Sequence, residues 1–216
     1  MGSLKLPHAS GNSMSIAAPA TNPASNLTLT LPATVGTAGQ VLQTDGSGNL
    51  SWVDLPTSGI SEYDMYVLTG DLTGSQAPIT GTWARPTTAA LAQYIGSGMS
   101  QSSGVFTFPN TGKWLVKFKC NIKGNNLVEV YGRTIIELTV DGGTNWVVGS
   151  RGNGNMHNSG GLWNYEMGHA ECMIDVTSTS DVKVRFATTF SNSSTKIAAW
   201  DANAESSCSF MKLGAT

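Results

Sequence analysis

Through most of the second half of the chain, apolar and polar residues alternate with a period of two. In WLVKFKCNI, Trp114, Val116, Phe118, Cys120 and Ile122 share one face, and Lys117, Lys119 and Asn121 take the other. Such alternation marks a strand with one buried face. AECMIDV repeats the pattern, with Ala170, Cys172, Ile174 and Val176 inward and Glu171 and Asp175 outward. DVKVRFATTF does so through Val182, Val184, Phe186 and Phe190. TIIELTVDGGTNWVVGS predicts a strand, a DGG turn and a second strand. CSFMKLG predicts a closing strand. Helical spacing is nearly absent: TTAALAQYIGSG, residues 87–98, has helix formers in a row for at most two turns. SEYDMYVLTG and GTWARP, in the mixed stretch 58–104, read as edge strands or a covering layer of the same domain.

The first quarter is different. NLTLTLP sets Leu27, Leu29 and Leu31 against Thr28 and Thr30, which predicts a one-face-buried strand ended by Pro32. GQVLQT and NLSWV flank DGSG, so Val41, Leu42, Leu50 and Trp52 belong to a small hairpin. SIAAPATNPAS, with two prolines, predicts extended chain and not an independent sheet. The pattern divides the chain into residues 1–57 and 58–216. The first part offers Leu27, Leu29, Leu31, Val41, Leu42, Leu50 and Trp52 but few strands, and a lone hairpin is marginal in water. Full burial contributes about 1.5–3 kcal/mol for each such side chain, but one flat chain cannot cover them all. The hairpin therefore packs either against copies of itself around a symmetry axis or against the second domain of its own chain. The first is the expectation.

Composition narrows the partners. The 216 residues carry 12 Lys and Arg against 14 Asp and Glu, a net charge of −2. Nucleic-acid binding needs a basic surface, so no nucleic-acid partner is expected. No apolar run approaches the roughly 20 residues of a membrane-spanning helix, and no secretory leader pattern is visible. Cys120, Cys172 and Cys208 form no CxxC pair and sit in strand-like segments. They read as buried free thiols, not as a disulfide or zinc framework.

Catalytic chemistry is not visible. His157 and His169 bracket a segment containing Glu166, but no HExxH spacing supports a metal there, and no GxSxG marks a nucleophile. No enzyme activity, metal or cofactor is expected. GSRGNGNMHNSGG, residues 149–161, predicts a long exposed loop. Around it, Arg151, Asn155, His157, Trp163 and Tyr165 form a candidate glycan-binding set, with Asn158 and Trp146 nearby. The plainer reading, which the aromatic members fit better, is that they cover the edge of the core.

Two resemblances follow. FTFPNTGKWLVKFKCNI (106–122) and AESSCSFMKLG (204–214) resemble the early strand pair and closing strand of C1q/TNF-like jelly rolls. SIAAPATNPASNLTLTLPATVGTAGQVLQTDGSGNLSW resembles a module of fibre and appendage proteins of tailed bacteriophages. Together they imply an all-β chain, an antiparallel jelly-roll sandwich preceded by an extended, strand-poor anchoring and trimerisation region. They imply a homotrimer on a virion surface, as a short fibre or a capsid or tail decoration. Leu27, Leu29, Leu31, Val41, Leu42, Leu50 and Trp52 would make the trimer and anchor contacts, with a capsid or tail protein as partner. The head would meet a host-surface glycan. The alternative is a lectin-like carbohydrate-binding module of a bacterial surface or secreted protein.

Overall fold

The computed structural model describes residues 3–17, 19–21, 23–55, 59–81, 83–88, 91, 94–125, 130–156, 163–199 and 204–216. Among them every regular element is a β-strand. The chain divides into two compact units, Met1–Ser58 and Gly59–Thr216.

The first unit holds two separate hairpins. Strands β1 (Ser3–Pro7) and β2 (Ser13–Ala17) pair antiparallel. The start of SIAAPATNPAS is thus paired strand, because the SLKLP segment before it supplies a partner. The second hairpin joins β3 (Gln40–Thr44) to β4 (Leu50–Asp54), with Leu42 opposite Trp52 and Thr44 opposite Leu50. Its turn is closed by Asp45, whose Oδ1 accepts from the amides of Ser47 and Asn49. Trp52 is half-buried: its Nε1 donates to the Thr34 carbonyl at 2.8 Å, and its ring lies on Gly36, where a Cβ would collide with it. The expected strand over NLTLTLP does not form. Thr30 makes a single parallel bridge to Asn49, and Leu27, Leu29 and Leu31 stand 74%, 67% and 71% exposed. Alternation predicts a strand only where a neighbouring edge exists to pair with, and here the hairpin makes its bridge to this segment at Thr30 alone.

The second unit is a sandwich. One sheet, I, places β13 (Trp163–Val176) beside β10 (Gly112–Asn125), then β16 (Ser207–Gly214), β5 (Tyr63–Leu68) and the short β7 (Trp83–Ala84). The short strands β15 (Lys196–Ala198) and β6 (Leu72–Thr73) extend the far end of β10. Sheet II runs β12 (Val147–Met156), β11 (Val130–Thr139), β14 (Lys183–Phe190), β9 (Val105–Thr107) and β8 (Ser100–Ser102). All pairings are antiparallel. Among the long strands, only β11 and β12 are joined as a hairpin within one sheet. From β9 to β10, β10 to β11, β12 to β13, β13 to β14 and β14 to β16 the chain crosses between sheets, which is the wrapping of a jelly roll.

The alternating residues meet in the middle. Trp114, Val116, Phe118, Cys120 and Ile122 are buried, as are Ala170, Ile174, Val176, Val182, Val184, Phe186 and Phe190. SEYDMYVLTG and GTWARP supply strands and not a covering layer: β7 is the edge of sheet I with β5 beside it, and their Tyr66, Leu68 and Trp83 join the core with Phe106 and Phe186.

The described part of the glycine-rich run, residues 149–156, departs from the expected loop. Residues 149–156 lie in β12, and 157–162 fall outside the described residues. At the closed edge of the sandwich β12 passes tightly over β13. A Cβ on Gly152 would fall on the His169 carbonyl, and one on Gly154 would lie 2.6 Å from Glu166 Cγ. Glycine here permits close backbone approach and does not mark a flexible loop.

Candidate functional site

The residues singled out for glycan contact do not form one site. Arg151 and Asn155 lie on β12 opposite Ile135 and Tyr131 and point away from the core on sheet II. Tyr165 lies on β13 opposite Lys123 and is exposed on the outer face of sheet I. Tyr165 therefore faces the opposite way from Arg151 and Asn155. His157 and Asn158 lie outside the described residues, as does the side chain of Trp163. Glu166 and His169, three residues apart on β13, point to opposite faces, so they share no coordination centre. Among the described residues no group of three or more His, Cys, Asp or Glu is placed to hold a metal. Burial pushes the Cys120 thiol up to about 12 and raises that of Cys208 well above the ordinary range, so neither is a thiolate nucleophile at neutral pH.

Two other surfaces have the organisation of a site. The first is the outer face of sheet I. The register aligns Met173 of β13, Leu115 of β10, Met211 of β16 and Tyr63 of β5 in one row across four strands. Met173 is 64% exposed, and the other three are half-buried. In the next row Glu171 pairs with Lys117 at 3.4 Å, beside Ser209 and Met65. An apolar band with a charged border, carried on a rigid sheet, has the composition of an interface core and rim.

The second is a groove of about 680 Å³ on the outer face of sheet II. Its floor is two cross-strand rows. Ser100, Thr107 and Lys183 form one, and Ser102, Val105 and Arg185 form the other. Its wall is Trp146, from the turn between β11 and β12. The Trp146 Nε1 donates to the Gly143 carbonyl at 3.0 Å, and the Arg185 guanidinium stacks on the indole at 4.2 Å. Arg185 also donates from Nε to Glu137 Oε2 at 2.7 Å. Lys183 Nζ donates to the Gly142 carbonyl at 3.1 Å. The lining contains hydroxyls, an amide, two cations and an aromatic ring, but no carboxylate, imidazole or thiol. Such a set can recognise a ligand through hydrogen bonds, charge and an aromatic face.

Asp141 builds the turn that bears Trp146. Its carboxylate accepts from the Asn145 amide, the Thr139 hydroxyl, Asn145 Nδ2 and the Thr144 amide. These bonds, that of the Asn145 amide foremost, hold its carboxyl well below the usual carboxylate range. A depressed folded value gives stabilisation that is present above the unfolded value, about 3.9, and lost as pH falls through the folded one. We expect the carbon-13 shift of the Asp141 carboxyl to show it still ionised at pH 3. Titration at the ordinary value would contradict this account of the turn.

Sequence reasoning missed the groove because β8 and β9 lie about eighty positions before β14 in the chain. Only Trp146, an aromatic placed directly after a DGG turn, hinted at it.

No protein-family model matches the chain, and no curated protein matches it. Solved structures do. Eiger TNF from S. frugiperda superposes with a TM-score of 0.53 at 8% identity, over 73% of this chain and 96% of that one. Murine APRIL, crystallised at pH 5.0, superposes with a TM-score of 0.51 at 11% identity, over 70% of this chain and 98% of that one. At such identities the likeness is one of fold: this chain carries an antiparallel jelly roll of the TNF type.

Proposed function

We propose that the chain is a self-associating structural and recognition protein, not an enzyme. In this reading it is a homotrimeric short fibre or capsid or tail decoration of a tailed bacteriophage. Residues 1–57 anchor it to a capsid or tail protein, and the jelly roll is a head turned toward a host surface or its glycans. The observation that carries self-association is the row Met173, Leu115, Met211 and Tyr63, an apolar band left partly open on the outer face of sheet I. The threefold axis comes from the C1q/TNF-like resemblance, and the particle context from the resemblance of the first region. The exposed Leu27, Leu29 and Leu31 are consistent with a segment that is covered only on assembly. A lectin-like module of a bacterial surface or secreted protein is the second reading, favoured by the groove beside Trp146.

The test is the mass of the full chain in solution. Sedimentation equilibrium should give three times the 22.6 kDa of one chain. Leu115→Glu combined with Met173→Glu should give a monomer with an unchanged β-sheet circular dichroism spectrum, because both side chains lie on the solvent face. A monomeric wild type at micromolar concentration, or a double variant that stays trimeric, would overturn the reading. The particle context is checked by electron microscopy with gold-labelled antibody to the chain. Label on capsid faces or tail is expected, and unlabelled particles count against it.

A further inference from the structure

We propose that the groove on sheet II binds an acidic saccharide, a pyranose bearing one anionic group. This rests on reading the head as a recognition domain and is independent of the oligomeric state. Three features point to that chemistry.

The wall is an aromatic ring fixed in place. Trp146 is tied through Nε1 to its own turn and held on one face by Arg185. A pre-ordered indole offers flat apolar area to the C–H face of a sugar ring without losing rotamer freedom on binding. The floor is hydroxyl-rich. Ser100 and Ser102 of the edge strand β8 line it beside Thr107 of β9, with Ser100 directly opposite Thr107. Each hydroxyl both donates and accepts, which matches the mixed character of sugar hydroxyls.

The third feature is charge. Arg185 is answered by Glu137 at 2.7 Å. Lys183 is not answered: among the described residues its ammonium bonds to the Gly142 carbonyl, and no carboxylate pairs with it. An ammonium has three donors, so further donors remain for a ligand. One unneutralised cation beside one aromatic wall suits a single acidic group. It does not suit a polyanion, and a chain of net charge −2 makes nucleic acid a poor occupant.

The experiment uses the full chain and four probes: the acidic galacturonic acid and 3′-sialyllactose, and their neutral counterparts galactose and lactose. Binding is measured by calorimetry and by the shift of the Trp146 indole N–H in proton–nitrogen spectra. At least one acidic probe should bind saturably, shift that signal and outcompete its neutral counterpart. Lys183→Gln should weaken the acidic probe by about tenfold and leave the weak neutral binding unchanged. Lys183 lies on the solvent face of β14, so the variant should fold, and its spectrum and mass should match wild type. Trp146→Ala should abolish binding of every probe. The proposal is overturned if no acidic probe binds, if acidic and neutral probes bind alike, or if Lys183→Gln binds as wild type does. Sedimentation of the same samples keeps such a failure distinct from a failure of self-association.

Discussion

Phe106→Ala should destabilise the head by about 3–5 kcal/mol and lower its melting temperature by roughly 10 °C or more. Phe106 has no exposed surface and sits where the two sheets meet. Its ring centroid lies 5.2 Å from Tyr66, 5.7 Å from Trp83, 5.3 Å from Phe186 and 5.2 Å from Phe210. These neighbours come from β5, β7, β14 and β16, so one short strand, β9, fills a gap shared by both sheets. Truncation removes the transferred apolar area and leaves a cavity that four aromatic rings on separate strands cannot close. The control is Val147→Ala, at a 59% exposed position of β12, where a change within about 0.5 kcal/mol is expected. Chemical denaturation of both variants decides it. A loss under about 1 kcal/mol at Phe106 would mean that the sheets do not pack through this ring.

The second large effect is expected at a buried carboxylate. Asp64 is 1% exposed and accepts two bonds from Arg85, from Nε at 2.9 Å and from Nη2 at 2.7 Å. The amides of Met65 and Met99 complete its partners at 2.9 and 2.7 Å. Arg85 Nη2 also reaches the Met99 carbonyl, and the guanidinium lies over Tyr66 and Tyr94. Glu62 repeats the arrangement one turn of the pleat away, accepting from the Ser97 and Gly98 amides and from Asn110 Nδ2. The two carboxylates staple residues 94–99 onto β5. Arg85→Ala strands the Asp64 charge, for which removal of one partner of a buried pair costs about 3–5 kcal/mol. The Arg85 side chain is 35% exposed, so water replaces part of the lost interaction and the lower end is expected. Asp64→Ala should cost much less when Arg85 is already alanine. A double-mutant cycle reads the coupling, for which about 1–3 kcal/mol is expected. Strictly additive losses would show that the pair contributes no coupling to the fold.

These expectations also show where sequence reasoning reached and where it stopped. The period-two pattern placed Trp114, Phe118 and Phe186 inside before any pairing was known, because a strand has only two faces. It failed at NLTLTLP, where alternation met no strand edge, and at 149–156, where glycine reads as a loop. In β12 glycine has another cause: a second backbone lies where a side chain would be.

The apolar row and the groove were illegible for a related reason. Met173, Leu115, Met211 and Tyr63 are adjacent only through three antiparallel registers, and Ser100, Thr107 and Lys183 only through two. A register is set by pairing between distant segments, and a slip of one residue sends every side chain to the other face. The chain's own pattern therefore determined that it is all-β and which residues of the principal strands are inside. The tertiary structure alone decided which outward residues stand side by side, because adjacency across strands is a property of pairing and not of any single strand.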